Sequence, residues 1–183
     1  MLSFTRRALL LAAPAMIAFA AKADDAATNT LVLETKYGKT TIKLRPDLAP
    51  KHVAQIKKLV SEKFYDGIVF HRVIPGFMAQ TGDPTGTGTG GSKLPNIPHE
   101  FSGAHFKRGT LGMARSSDPD SANSQFFICF DDASFLDGKY TVFGEVTSGM
   151  DAIDKLKAGT QADNGIVDHP DKMISLRFAP DAS

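Results

Sequence analysis

The chain has 183 residues, enough for one globular domain with a core and little more. Hydrophobic residues make up 42% and charged residues 22%, as in soluble globular proteins, and a net charge of +1 excludes the strongly basic character of a nucleic-acid binder. A single cysteine, Cys129, excludes an internal disulfide, and its place in the run Phe126-Phe127-Ile128-Cys129-Phe130 reads as a buried thiol.

The first 23 residues differ from the rest. Met1 to Arg7 is short and basic through Arg6 and Arg7, an apolar run follows from Ala8 to Ala20, and Ala21-Lys22-Ala23 puts small residues before Asp24. That order is a cleavable signal peptide over residues 1–23, leaving one domain over 24–183 exported to the periplasm. The apolar run is shorter than the roughly 20 residues that cross a bilayer, so no stable membrane insertion is expected. The paired arginines leave both the general secretory and the twin-arginine routes open. Cleavage removes three of 21 basic residues and no acidic one, leaving 18 against 20 and a net charge of −2.

Asp24 to Thr30 is small and polar and reads as a flexible lead-in. Leu31 to Thr35 and Thr40 to Leu44 are β-rich runs that predict a hairpin with Gly38 in its turn. Pro50 suits a first helical position, and Val53, Ile56, Leu59 and Val60 recur at spacings of three and four. This predicts an amphipathic helix ending near Phe64, before the Asp66-Gly67 turn signal. Short apolar runs follow: Ile68 to Ile74, Phe77 to Thr81, Thr110 to Ala114, Gln125 to Phe130, Tyr140 to Val146 and Ile174 to Phe178. A second helix is predicted over Met150 to Lys157. Many short strands separated by turns argue for a sandwich or barrel, with the two helices plugging a barrel's open ends.

Phe70 to Asp83 is the most informative stretch. Arg72, Phe77, Met78 and Gln80 fall on two strand-like runs joined at Pro75-Gly76, where alternation lets them converge on one face. By themselves these residues also fit a core built on Phe77 and Met78 with Arg72 in solvent. The run resembles the central motif of cyclophilin-type peptidyl-prolyl cis–trans isomerases. Ser124-Gln125-Phe126-Phe127-Ile128 resembles their second motif, and Leu136-Asp137-Gly138-Lys139 with Val142-Phe143-Gly144 their third. The resemblance spans about Leu31 to Phe178. It implies a mainly β fold, a closed eight-stranded antiparallel β-barrel capped by two α-helices, with the substrate groove on its outer surface.

Carried over by position, the resemblance implies Arg72 as the catalytic arginine, assisted by Phe77 and Gln80. Phe77, Met78, Phe127 and Leu136 match the pocket for a proline ring, and Gln80 and Gln125 the groups that hold the substrate backbone. Ala114 and Arg115 match the segment whose main chain pairs with substrate. Phe135 stands where many eukaryotic members have tryptophan, Tyr140 where they have histidine, and Arg115 where asparagine is usual, with one extra residue between Met113 and Gln125. These departures resemble the bacterial branch, and the missing indole N–H implies only weak cyclosporin binding. The implied partners are proline-containing polypeptides, with no cofactor and a monomeric chain. A non-catalytic chaperone module that holds proline segments is the alternative.

Other signals carry less. Gly86-Thr87-Gly88-Thr89-Gly90-Gly91 spells a dinucleotide-loop pattern, but Pro95 and Pro98 follow where a helix would have to start, so it reads as a flexible loop beside the groove. His52, His71, His99, His105 and His169 lack metal-ligand spacing, and His71 reads as structural because the isomerisation transfers no proton. Ser116 to Ser121 reads as a turn-rich loop.

Overall fold

The computed structural model describes residues 29–160 and 162–180; the predicted signal peptide and most of the lead-in lie outside them. Eight antiparallel strands form one sheet: β1 (Thr30–Thr35), β2 (Gly38–Leu44), β3 (Arg72–Ile74), β4 (Met78–Thr81), β5 (Thr110–Met113), β6 (Phe126–Cys129), β7 (Val142–Ser148) and β8 (Ser175–Phe178). Among the described residues two helices accompany them, α1 (Pro50–Ser61) and α2 (Met150–Asp154), with a 3-10 turn at Ser134–Leu136.

The strand order is β3-β4-β6-β5-β7-β2-β1-β8. The closed barrel expected from the resemblance is corrected by this order: the sheet is an open half-barrel with β3 and β8 at its edges. The reason lies in β3, which is only three residues long. Its outer edge meets irregular chain instead of β8. Val73 donates its N–H to the Gly165 carbonyl (2.8 Å), Gly159 donates to Val73 (3.0 Å), and Val167 donates to His71 (3.0 Å). The predicted strand from Ile68 shrinks to Arg72–Ile74 for the same reason, since Val69 and Lys172 make only an isolated bridge.

The main core lies on the inner face. Val73, Ala79, Ile128 and Leu111 are opposite one another across β3, β4, β6 and β5, and all four are buried. Helix α1 adds His52, Val53, Ile56, Leu59 and Val60 to that side. It begins at Pro50 as predicted, but Ala49 cannot cap it with a side chain. Glu100 does so from a distant loop, accepting the N–H groups of Lys51 (3.1 Å) and His52 (3.1 Å), and it meets His52 Nδ1 at 2.6 Å. A carboxylate there also complements the positive end of the helix dipole. The helix stops at Ser61, earlier than predicted, and the chain turns away through Lys63 at φ +56°. Helix α2 stops at Asp154, short of the predicted Lys157, whose N–H is taken by Asp171 Oδ2 (2.8 Å). Among the described residues no helix is long and apolar enough to cross a membrane.

Candidate active site

Alternation along the strands turns a second row of residues outward. Arg72 pairs with Gln80, Gln80 with Phe127, and Phe127 with Gly112, across β3, β4, β6 and β5. The neighbouring row is Ile74, Met78 and Cys129. These side chains oppose the main core and seed a smaller apolar cluster with Phe106, Ala133, Leu136 and Val142. Of the two arrangements open in the sequence, Met78 is a core residue at 1% exposure, yet it also lines the site; Arg72 is half-buried within it.

Ten of the sequence-predicted residues line one pocket of about 310 Å³: Arg72, Phe77, Met78, Gln80, Ala114, Arg115, Phe127, Phe135, Leu136 and Tyr140. Gln125 does not line it. It lines a polar pocket of about 540 Å³ that shares Gln80, Ala114 and Arg115 with the first, so the two form one groove. Aromatic packing shapes the apolar end. Phe127 stacks on Phe106 (5.7 Å between centroids) and meets Tyr140 edge-on (5.9 Å), while Phe77 lies 5.3 Å from the exposed Phe135. Phe127 needs Gly112 opposite: a Cβ there would sit 2.3 Å from its ring and 2.6 Å from Phe106.

Arg72 is held by neutral oxygens. Its Nε donates to the Asn164 carbonyl (2.8 Å), Nη2 to Asn164 Oδ1 (2.9 Å) and Nη1 to Gln80 Oε1 (3.3 Å). Burial pulls the guanidinium below its ordinary value and Tyr140 opposes that; an arginine stays charged throughout the working range. Three of its five N–H groups are engaged, leaving two. Asn164 was missed in the sequence. It lies 92 residues from Arg72 in a loop, and its one local signal is a following glycine; at φ +51° it sits in the left-handed region that asparagine tolerates better than most residues.

A chain of amides continues from the arginine. Gln80 Nε2 donates to Gln125 Oε1 (2.9 Å), and Gln125 Nε2 donates to the carbonyls of Gly88 (3.0 Å) and Gly90 (2.8 Å). The glycine-rich loop does border the groove, but it is braced where the sequence suggested flexibility. The buried Asp83 carboxylate accepts the N–H groups of Thr85 (2.7 Å), Gly88 (2.6 Å) and Gly90 (3.0 Å) and the Thr85 hydroxyl (2.8 Å). Burial opposes its ionisation, but the donors from Gly90, Thr85 and Gly88 outweigh burial and pull it down to about 2. His71 lines neither pocket; it is buried with both ring nitrogens unpartnered, and burial pushes it below its ordinary value. The N–H of Ala114 is taken by the Gln125 carbonyl (3.0 Å), so that N–H is not the main-chain group a ligand would use.

Comparison with known proteins identifies the family. A family described as cyclophilin-type peptidyl-prolyl cis–trans isomerase matches residues 30–178. A probable peptidyl-prolyl cis–trans isomerase of Brucella suis is 55% identical over 98% of this chain and 99% of its own length. A peptidyl-prolyl cis–trans isomerase-like protein of Aspergillus fumigatus is 42% identical over 69% of this chain and 80% of its own. Among solved structures, a cyclophilin of Hirschia baltica superposes with a TM-score of 0.76 at 28% identity, covering 86% of this chain and 76% of that one. A Cryptosporidium parvum cyclophilin-type isomerase, crystallised in the presence of the dipeptide Ala-Pro, gives 0.75 at 26% identity over 82% and 99%.

Proposed function

The chain belongs to the cyclophilin-type peptidyl-prolyl cis–trans isomerases, and on that premise we propose that it rotates X–Pro bonds in the groove described above, with Arg72 as the catalytic group. One observation carries the assignment: a guanidinium held by neutral oxygens, with donors to spare, lines a pocket of about 310 Å³ beside Phe77, Met78, Phe127 and Leu136.

An X–Pro bond turns over a barrier of roughly 18–20 kcal/mol set by amide resonance. In the planar ground state the nitrogen lone pair is delocalised into the carbonyl. In the twisted transition state it is localised on the prolyl nitrogen and accepts a hydrogen bond. A donor that meets that nitrogen only when the bond is twisted lowers the barrier without tightening the ground state. Arg72 supplies the donor. Phe77, Met78, Phe127 and Leu136 grip the ring and exclude water, which strengthens a charge-assisted bond. Gln80, itself fixed by Gln125, orients Arg72 and holds the substrate backbone beside the Arg115 main chain. Phe135 and Tyr140 form the outer rim. Phe135 offers no N–H, which supports weak cyclosporin binding.

Arg72→Ala is expected to lower kcat/KM on an Ala-Pro-Phe peptide by about 10²–10³-fold, the range typical of removing one preorganised donor. A folded variant with near-full activity would refute the role. A folded wild type that binds the peptide without turning it over would favour the chaperone reading.

The proposed clients are unfolded or partly folded chains in the periplasm, which a monomeric enzyme reaches after its signal is removed. The support is the basic, apolar, small-x-small order of residues 1–23. Mass spectrometry of the protein from its native cell is expected to find a chain beginning at Asp24; one beginning at Met1 would rule out cleavage.

A further inference from the structure

Five arginines fall among the described residues, and their partners divide them. Arg45 pairs with Asp47 (2.7 Å), Arg108 with Asp154 (2.6 Å) and Arg177 with Asp66 (2.6 Å). The other two, Arg72 and Arg115, are the two in the groove, and each is held only by neutral oxygens. They are also the only charged side chains that line either pocket. The side chains lining the groove therefore carry only positive charge, in a chain whose remaining described arginines are neutralised.

Arg115 is built as a fixed cation. Its Nη1 donates to the carbonyl of Ser116 (2.8 Å) and its Nη2 to that of Lys139 (2.9 Å), and the guanidinium lies 4.4 Å from the Tyr140 ring centroid. Its Nε is buried with no acceptor. One carbonyl on Nη2 leaves a further donor there. Neutral carbonyls and a ring face orient this charge without cancelling it, and its rotamer freedom is already spent. Arg115 lines both pockets, so it stands where the apolar pocket opens into the polar one. Two of the polar pocket's amides are engaged, Asn123 Nδ2 with the Leu94 carbonyl (2.8 Å) and Gln125 Nε2 with two loop carbonyls, and no carboxylate or second cation lines it. That leaves Arg115 as the pocket's charged group.

We propose that the polar pocket takes an acidic side chain and that Arg115 selects it. The preferred substrates are then proline segments with Asp or Glu within about two residues of the proline, since extended chain advances about 3.3–3.6 Å per residue. This rests on the isomerase reading above and names the substrate class for that same groove.

The test uses the full chain and N-acetylated peptides in which Glu, Gln or Lys is placed in turn at each of the two positions on either side of one proline. At low salt, kcat/KM is expected to be about tenfold higher for Glu than for Gln at one of those positions, with Lys below Gln, the effect of a charge-assisted hydrogen bond. Raising the ionic strength should shrink the ratio. Arg115→Gln should bring the Glu-to-Gln ratio to within twofold, while Arg115→Lys keeps part of it. Because each variant is judged by its own ratio, a general loss of activity does not mimic the result. A wild-type ratio within twofold at every position overturns the charge preference and leaves the isomerase standing. A ratio unchanged in Arg115→Gln overturns the role of that residue. Failure to turn over any peptide overturns the isomerase reading itself, and the preference with it.

Discussion

Asn164 lines neither pocket, yet it holds the arginine proposed to act on the substrate. Its carbonyl and side-chain oxygen together take two donors of Arg72, and its φ of +51° holds both oxygens on the same side of the loop. Asn164→Gly retains the backbone shape, because glycine adopts positive φ freely, and deletes only the Oδ1 contact. The expected result is a kcat reduced about tenfold with KM within twofold, the pattern of an interaction that matters in the transition state. A proportional rise in KM would mean that Asn164 serves binding instead. Steady-state kinetics on a single peptide separates the two. Gly112 is a second such position: its missing Cβ is what lets Phe127 lie across β5, and the Phe127 ring walls the pocket.

Among the elements, the loop from Thr85 to Gly91 depends on one carboxylate. Asp83 draws Thr85, Gly88 and Gly90 around itself, and the loop then presents two carbonyls to Gln125. The folded carboxyl titrates at about 2, below an unfolded value near 3.9. A depressed carboxyl contributes stability that is present above the unfolded value and is lost as pH falls through the folded one. About two units correspond to roughly 2.5 kcal/mol, present at neutral pH and lost between about pH 4 and pH 2. Asp83→Asn should therefore lower stability at pH 7 by about 2 kcal/mol and flatten its dependence across that window. Urea unfolding at pH 7, 4 and 2.5 measures both effects; parallel curves for variant and wild type would contradict this account of the loop. Activity should fall as well, because the amide relay through Gln125 and Gln80 ends on Arg72.

At the level of the whole molecule, the open edge of the half-barrel is where Arg72, the proposed catalytic group, sits. Gly159 and residues 165–167 flank β3, Asn164 precedes them, and Asp171 anchors the same stretch of chain. Its carboxylate meets Lys36 (2.7 Å), accepts the Lys157 N–H (2.8 Å), and its carbonyl accepts the Phe70 N–H (2.8 Å). Burial raises the Asp171 carboxyl, but Lys36 and the Lys157 N–H outweigh it and leave the group below its ordinary value. Asp171→Ala removes the acceptor of the part-buried Lys157 N–H and should cost about 1 kcal/mol. If this stretch is what holds Asn164, hydrogen exchange should quicken at the amides of Val73 and Gly165, and kcat should drop at a distance from the groove. Unchanged exchange there would show that β3 is held by other contacts.

Much of this was readable in advance because it is local. The three-and-four spacing of Val53, Ile56, Leu59 and Val60 dictates the buried face of α1, and the period of two along Arg72–Ile74 and Met78–Thr81 puts Arg72, Met78 and Gln80 on one side. Those three meet seven residues implied by the family resemblance in one pocket. The sequence could not show how the sheet ends, since closure depends on whether a three-residue strand finds a partner across the chain. Nor could it name Glu100 as the cap of α1, Asn164 as the holder of Arg72, or the pairing that leaves two of the five described arginines without a carboxylate. Each of those is a contact between groups tens of residues apart, with no period or motif to announce it. By itself the sequence determined most of the strands and the buried helix face, because these follow from neighbours along the chain, while the residues of the groove were legible through motifs that resemble a known family. Only the tertiary structure decided the open edge, the bracing and the charge of the site, because these follow from which distant groups are left to satisfy one another.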